Sequence, residues 1–147
     1  MTIDQERYEK KLSQHIDKYS ARLMSNTKWF KLFNALCNQP ELGIESLVVD
    51  IFGPKPSWID LSSAEKFHQN FNSTGIKDIL SGGPLKFKEI RWVEFHLVRS
   101  KNNILKNKNG ERVISDQNLS KIKEIFMSLG KLEIEEDEDM IKLYGYK

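Results

Sequence analysis

The stretch FKEIRWVEFHLVRS, residues 87–100, is rich in β-branched and aromatic residues, and this composition predicts the longest strand of the fold. Successive side chains of a strand point to opposite faces of its sheet. One face would be apolar at its centre and charged at its ends, as expected where a strand covers a core; it consists of Arg91, Val93, Phe95, Leu97 and Arg99. The opposite and less buried face consists of Ile90, Trp92, Glu94, His96 and Val98.

Two helices are predicted before this strand. Residues 1–24 carry a narrow apolar stripe at steps of three or four residues, the period of a helix, made up of Tyr8, Leu12, Ile16, Tyr19 and Leu23. Such a stripe can pack on the domain or on a second copy of itself, so residues 1–24 are predicted to be an N-terminal helical extension and a candidate homodimer seam. The next segment, SNTKWFKLFNALC at 25–37, is apolar on several sides and predicts a core helix.

The rest of the chain mixes strands, short helices and hairpins. A strand is predicted through Leu47–Phe52, a hairpin turn at Asn109-Gly110, and a helix within residues 115–130. A closing hairpin is predicted at residues 131–147, and its turn is filled by an acidic run of Glu135, Glu136, Asp137, Glu138 and Asp139. Because helices do not alternate regularly with strands, residues 25–147 are predicted to form a single α+β domain with a mainly antiparallel sheet covered by helices.

The large apolar residues of these elements predict one core. It would gather Trp29, Phe33, Leu36, Val49, Phe95, Leu97, Phe126 and Leu129. Cys37 lies four positions from Phe33 on the apolar side of the core helix, and we expect it to be a buried structural thiol rather than a nucleophile.

Composition narrows the class and the location of the protein. A single cysteine excludes an intramolecular disulfide and suits a reducing compartment. The first residues, MTIDQERYEKK, lack the apolar centre of a signal peptide, and no apolar run approaches the ~20 residues that a membrane helix needs. We therefore expect a cytoplasmic protein with no membrane partner.

Glu94 and His96 are the candidate chemical pair of the long strand. Two positions apart on a strand, their side chains project together, as a metal site or an acid–base pair would require. A catalytic zinc site needs about three protein ligands, and the remaining imidazoles, His15 and His68, stand in no ligand-spaced motif. We therefore expect no metal, no cofactor and no catalytic residue, and interpret Trp92, Glu94 and His96 as a partly exposed binding surface.

Charge is unevenly distributed along the chain, although the net charge is only +2. Residues 99–112 are basic, which would suit contact with nucleic-acid phosphates. This segment lacks the interleaved aromatic residues that stack on bases, so nucleic acid is not the favoured partner. The acidic run at 135–139 instead suggests a surface that binds a basic protein.

Three segments carry a resemblance to known proteins. NTKWFKLFNAL at 26–36, GPLKFKEIRWVEF at 83–95 and LYGY at 143–146 resemble a family of small bacterial cytoplasmic proteins, single domains without an assigned activity. The similar stretches span residues 26–146 and leave the first helix as an extension. These motifs are mostly aromatic and apolar, so the resemblance implies a fold and no catalytic residue.

Three functional hypotheses follow. The first is a non-enzymatic protein-interaction module, such as an immunity- or antitoxin-like binder that neutralises a basic protein partner. The second is a small enzyme in which Glu94 and His96 form an acid–base pair, helped by Asp50 or Asp60. The third is a nucleic-acid accessory protein that uses the basic hairpin at 99–112. A deep cleft at Glu94 and His96 would favour the enzyme, and a flat or convex face the binder.

Overall fold

The computed structural model describes residues 2–53, 56–77, 84–99, 105–106, 112–113 and 116–147. Within these residues the α-helices are α1 (Ile3–Ile16), α2 (Asn26–Cys37), α3 (Ala64–Asn70) and α4 (Leu119–Ser128). The strands are β1 (Ile44–Asp50), β2 (Pro56–Leu61), β3 (Phe71–Asn72), β4 (Gly75–Ile76), β5 (Leu85–Lys86), β6 (Ile90–His96), β7 (Leu105–Lys106), β8 (Arg112–Val113), β9 (Ile134–Glu136) and β10 (Met140–Tyr144).

The main sheet has the strand order β2-β1-β6-β10-β9, and every pairing in it is antiparallel. The strand predicted from residues 87–100 is β6, which lies at the centre of this sheet. Its Glu94 pairs with Leu47 of β1 on one side and with Lys142 of β10 on the other. The predicted α+β fold, with a mainly antiparallel sheet and helices against it, is therefore confirmed.

One face of the sheet is covered by α2, α3 and α4, and the main core lies there. Ser25, Asn26 and Thr27 are all possible caps by sequence, and the structure shows that Ser25 caps α2 by accepting a hydrogen bond from the Lys28 amide. Phe33 of α2 is fully buried, and its ring centroid lies 5.6 Å from that of Trp29, 5.1 Å from that of Phe71 and 5.9 Å from that of Phe87.

The opposite face, which we call the outer face, is partly covered by α1. Leu12 is only 2% exposed and packs in a separate cluster with Ile51 and Tyr146, flanked by Tyr8 and Ile16. The apolar stripe of α1 thus contacts the sheet of its own chain. Whether α1 also serves as an extension that the domain can lose, or as a dimer seam, stays a prediction.

A β-bulge at Arg91 changes the predicted alternation along β6. Val49 pairs with Trp92 while the next residue, Asp50, pairs with Ile90, so Arg91 has no partner on β1. Ile90 is therefore fully buried in the main core rather than on the outer face with Trp92, where strict alternation puts it. The Arg91 carbonyl instead accepts a hydrogen bond from the Gly145 amide at 2.8 Å.

Three of the eight predicted core residues lie elsewhere. Val49 is buried but belongs to the outer face, Leu97 is half-buried beyond the end of β6, and Leu129 is 37% exposed after the end of α4. The first strand is Ile44–Asp50, so Phe52 follows it and packs near α1. The hairpin of β7 and β8 is confirmed by its antiparallel pairing, whereas its predicted turn at Asn109-Gly110 lies outside the described residues.

Gln117 links the main sheet to the segment before α4. Its side-chain oxygen accepts from the Glu45 amide at 2.9 Å, and its nitrogen donates to the carbonyls of Glu45 at 3.1 Å and His96 at 2.9 Å. Gln117 is 3% exposed. The side chain therefore satisfies backbone groups of β1 and β6 that water does not reach.

Candidate binding surface on the outer face

The outer face brings together residues from four adjacent strands. Cross-strand partners in a sheet project to the same side, and the pairs Leu47–Trp58, Leu47–Glu94, Val49–Trp92, Lys142–Glu94 and Tyr144–Trp92 fix this set. The outer face therefore includes Leu47, Val49, Trp58, Trp92, Glu94, His96, Lys142 and Tyr144, with Met140 beside His96 and Pro56 beside Val49. The predicted grouping of Trp92, Glu94 and His96 on one less buried face agrees with this arrangement.

Glu94 lies between the two other residues of the predicted surface. Trp92 Nε1 donates to Glu94 Oε2 at 2.7 Å, and His96 Nε2 lies 2.9 Å from Glu94 Oε1. The Glu94 side chain is 17% exposed and that of His96 34% exposed. Both carboxylate oxygens thus have a hydrogen-bonding partner within the same strand, and this arrangement holds the three side chains in fixed positions.

Trp92 is also flanked by two cations. Lys142 Nζ lies 3.8 Å from the centroid of the Trp92 ring, and Arg91 Cζ lies 4.4 Å from it. Such cation–π contacts are worth about 0.5–1 kcal/mol each at exposed sites. Trp92 therefore has a restricted orientation although it is only half-buried, and it loses little conformational freedom on contact with a ligand or partner.

Tyr144 and Trp58 extend this aromatic surface on either side. The rings of Trp58 and His96 lie 5.7 Å apart, and those of Trp92 and Tyr144 lie 6.3 Å apart. Burial, together with a hydrogen bond to the Glu135 carboxylate, raises the pKa of Tyr144. Tyr144 therefore stays a neutral donor, and Glu135 joins the outer face from the edge strand β9.

A groove lies between the end of α1 and the outer face. Its volume is about 600 Å³. The lining comprises His15, Lys18, Tyr19, Leu47, Val49, Asp50, Ile51, Phe52, Gly53, Pro56, Arg91, Trp92 and Glu94. Glu94 lines the groove and His96 does not, so the pair straddles its edge.

The acidic run divides between several roles. Glu136 pairs with Lys123 of α4, and the Asp137 carboxylate accepts from the Asp139 amide within the turn. Glu138 and Asp139 are exposed, and no described lysine or arginine lies within ion-pair distance of either. We call these two residues the acidic tip. The Asp139 carbonyl accepts from the Leu97 amide at 2.8 Å, so the acidic tip adjoins the His96 end of the outer face.

The other candidates for chemistry are engaged in structural contacts. Asp50 Oδ1 accepts from the amides of Phe52 and Gly53. Burial opposes ionisation of Asp60, but its bonds to Lys66 and to Ser62 outweigh that effect and lower the Asp60 pKa. Cys37 is fully buried, and burial, with the nearby Asp60 charge, raises its pKa to about 12.

The remaining imidazoles lie apart from the Glu94–His96 pair. His15 packs edge-on against Phe52 with ring centroids 5.3 Å apart, and His68 is exposed on α3. In the part of the chain that the structure describes, no three His, Cys, Asp or Glu side chains are grouped closely enough to hold a metal ion.

The basic segment at 99–112 falls mostly outside the described residues. Lys106 and Arg112 lie in the paired strands β7 and β8. Arg99 is buried, and its guanidinium donates to the carbonyls of Leu42 and Gly43. The first cation of that segment therefore fixes the loop before β1. It does not contribute to a basic surface for nucleic acid.

Searches against protein-family models, curated proteins and solved structures found no significant match to this chain. The resemblance to a family of small bacterial proteins therefore stays a prediction. None of the described helices is both long enough and apolar enough to cross a membrane.

Sequence reasoning missed several members of this surface. Trp58, Lys142 and Tyr144 join it only through the pairing register of β2 and β10, which no local motif encodes. Arg91 and Val49 were expected to face the core; the bulge accounts for the position of Arg91, and the pairing of Val49 with Trp92 accounts for that of Val49. The alternation of apolar and polar residues along β10 is the one sequence signal from which the position of Lys142 on the outer face could have been predicted.

Proposed function

We propose that this protein is a non-enzymatic interaction module, an immunity- or antitoxin-like binder, whose outer face and acidic tip bind a basic protein partner. The observation that carries the proposal is the set of half-exposed aromatic residues held in fixed positions, with Trp92 bonded to Glu94 and flanked by two cations. Rigid, partly exposed aromatic residues are typical anchors of protein interfaces. A cytoplasmic bacterial setting remains part of the proposal.

Charge supports a basic partner. Glu138 and Asp139 extend from the hairpin next to the His96 end of the outer face, with no described cation to neutralise them. A partner lysine or arginine would find two carboxylates there, and electrostatic attraction of this kind raises association rates and disfavours acidic competitors. The aromatic residues would then supply the contact area, and the acidic tip the selectivity.

Capture from source cells, followed by affinity measurement on the partner obtained, tests the proposal. We expect a basic partner, and we expect Trp92→Ala combined with Glu94→Ala to weaken its binding 10-fold or more, since truncated anchors cost ~2 kcal/mol or above. Glu138→Gln combined with Asp139→Asn should also weaken binding and reduce its dependence on salt. Lys131→Ala, an exposed residue after α4, is the control and should leave the affinity unchanged.

Two results would contradict this function. One is a partner that binds all of these variants with the same affinity. The other is a captured protein whose contact surface is acidic. Thermal melts of each variant distinguish lost contacts from lost folding.

A homodimer through α1 is a separate proposal, and the packing of Leu12 defines what it requires. Because the stripe already covers Ile51 and Tyr146 of its own chain, a seam would need α1 to leave that site and pack on a second copy. Sedimentation of the full chain and of Leu12→Asp measures this. If the full chain is a dimer and Leu12→Asp is a monomer, the result supports dimerisation through α1. A full chain that is monomeric at all concentrations contradicts it.

A small enzyme is the second candidate function. The observation that favours it is the 2.9 Å contact between Glu94 and His96 at the edge of the groove. Against it, Trp92 occupies the other Glu94 oxygen. Metal analysis of the purified protein offers a direct test: near one equivalent of zinc, iron or manganese, lost in His96→Ala, would favour the enzyme over the binder.

A further inference from the structure

The groove beside α1 has the size and the lining of a small-molecule site. Its volume of about 600 Å³ lies within the range of roughly 300–1,000 Å³ that such sites occupy. Leu47, Val49 and Phe52 supply apolar walls, together with the rings of Trp92 and Tyr19. An apolar ligand body could therefore be removed from water on several sides.

The anions of the groove are already compensated within the chain. Asp50 accepts two backbone amide hydrogen bonds, and Glu94 is bonded on both oxygens. Neither carboxylate therefore needs a cationic ligand. Both nevertheless remain negative charges close to any occupant, and they would disfavour a ligand with two negative charges of its own.

The cations of the groove are not compensated. Neither Lys18 nor Arg91 has an ion pair or a side-chain hydrogen bond with the described part of the chain. Arg91 Cζ lies 4.4 Å from the centroid of the Trp92 ring and 5.5 Å from that of Tyr19. The guanidinium thus lies close to two rings and makes no side-chain hydrogen bond with the residues that the structure describes, so its N–H donors are available to a carboxylate, which a guanidinium can bind through two hydrogen bonds.

The bulge is what brings Arg91 to this place. Because Arg91 has no partner on β1, its side chain leaves the regular alternation and reaches the groove, while its carbonyl is held by Gly145. Bulges that redirect a side chain are over-represented beside functional sites. An exposed arginine that lines a groove with apolar walls and lies close to two aromatic rings is an arrangement that can bind an anion.

We propose that this groove binds a small amphipathic carboxylate, such as a medium-chain fatty acid or an aryl carboxylic acid. The carboxylate pairs with Arg91, with Lys18 as the second cation, and the apolar body lies against Leu47, Val49 and Trp92. A singly charged head fits better than a phosphate because Asp50 and Glu94 line the same groove. The groove shares Trp92 and Glu94 with the proposed protein interface, whereas the acidic tip lies at the other end of the outer face and does not line the groove.

Titration with decanoate, followed by calorimetry and by tryptophan fluorescence, tests the site. We expect saturable one-to-one binding that weakens as salt is raised. Decanol should bind at least 10-fold more weakly, since it lacks the charge, and decylamine should not bind. Decyl phosphate should bind more weakly than decanoate because of the two neighbouring carboxylates.

Variants locate the site. Arg91→Gln should weaken decanoate binding at least 10-fold, and Arg91→Lys should restore part of the affinity because it keeps the charge without the paired donors. Arg7→Gln, which removes an exposed arginine of α1 that does not line the groove, is the matched control and should bind as the parent does. Both Arg91 variants should still melt cooperatively, and Arg91→Gln should melt slightly below the parent because it loses the cation–π contacts with Trp92 and Tyr19.

Several results would overturn the proposal. They are absence of decanoate binding up to about 1 mM, equal binding of decanoate and decylamine, equal affinities of Arg91→Gln and the parent, and tighter binding of decyl phosphate. Glu138→Gln combined with Asp139→Asn separates the two proposals, because the acidic tip does not line the groove. That variant should bind decanoate as the parent does, whatever happens to its affinity for the protein partner.

Discussion

Replacing Gly145 with alanine tests whether the bulge at Arg91 determines the position of the outer face. Gly145 does not adopt a positive φ, so alanine meets no conformational barrier there and only the space around it matters. An added Cβ would lie under 3.0 Å from the Ile90 carbonyl oxygen, 3.0 Å from Trp29 Cζ2 and 3.3 Å from the Arg91 carbonyl oxygen. Two of these three neighbours are backbone atoms of the central strand, which cannot rotate away.

The cost of this substitution has two parts. Overpacking of a rigid site costs about 1–3 kcal/mol. Separation of β10 from the bulge would also lengthen the 2.8 Å bond between the Gly145 amide and the Arg91 carbonyl, at about 1 kcal/mol. We therefore expect Gly145→Ala to lower the free energy of unfolding by about 2–4 kcal/mol, or the melting temperature by roughly 10 °C in a domain of this size.

Urea denaturation followed by tryptophan fluorescence measures this difference. Gly53→Ala is the matched control, because no atom lies within 4 Å of a Cβ added at Gly53. It should change the free energy of unfolding by less than about 0.5 kcal/mol. If Gly145→Ala and Gly53→Ala unfold at the same urea concentration as the parent, β10 does not approach the bulge as described, and the account of how Arg91 reaches the groove fails with it.

Four further predictions concern stability. Phe33→Ala should lower the free energy of unfolding in urea by about 3–5 kcal/mol because it leaves a cavity among three rings. Leu129→Ala, at an exposed position, should lower it by under about 1 kcal/mol, and equal losses would contradict the assigned core. In the same assay Gln117→Ala should lower the free energy of unfolding by about 2–4 kcal/mol, because buried backbone groups of Glu45 and His96 lose their hydrogen-bonding partner. A change under about 0.5 kcal/mol would show that Gln117 does not link the two strands. Burial raises the pKa of Cys37 to about 12, against 9.0 for a free thiol, so the resulting stabilisation is complete below about pH 9 and is lost as the pH rises towards about 12. At about pH 10 the free energy of unfolding of the parent should have fallen by about 1.4 kcal/mol more than that of Cys37→Ala, and parallel pH profiles of the two proteins would argue against a buried thiol. A chain that begins at Ser25 should still melt cooperatively, but at a lower temperature because Ile51 and Tyr146 become exposed. If the truncated chain shows no cooperative transition, α1 is an integral part of the domain.

Local patterns predicted most elements of this fold for identifiable reasons. The composition of residues 87–100 indicated a strand because β-branched and aromatic side chains fit a sheet surface, and the apolar sides of residues 25–37 indicated a helix buried between neighbours. The Ser-Asn-Thr run at 25–27 indicated where that helix begins, because the capping hydrogen bond joins Ser25 to an amide only three residues on. Interactions of this range are encoded in adjacent sequence, which is why they could be predicted.

The errors arose where distant parts of the chain determine the outcome. Ile90 faces the main core because the backbone amides of Gly145 and Tyr146, just after β10, hold the bulge next to it, and Val49 lies on the outer face because its position in β1 pairs it with Trp92. The co-facial placement of Trp92, Glu94 and His96 required only the two-residue period of a strand and was predicted. The groove depends on where α1 ends relative to the sheet, which no local pattern specifies.

The strand order of the main sheet also has a consequence for how the chain folds. Central β6 pairs with β1 and with β10, and each pairing joins residues separated by roughly fifty positions. Since β10 lies between β6 and β9, the sheet cannot be completed until residues 140–144 are available, and until then one edge of β6 has unpaired backbone groups. We therefore expect slow refolding, on a millisecond-to-second scale, and emergence from the ribosome as a stage at which the exposed edge of β6 is open to pairing with other chains.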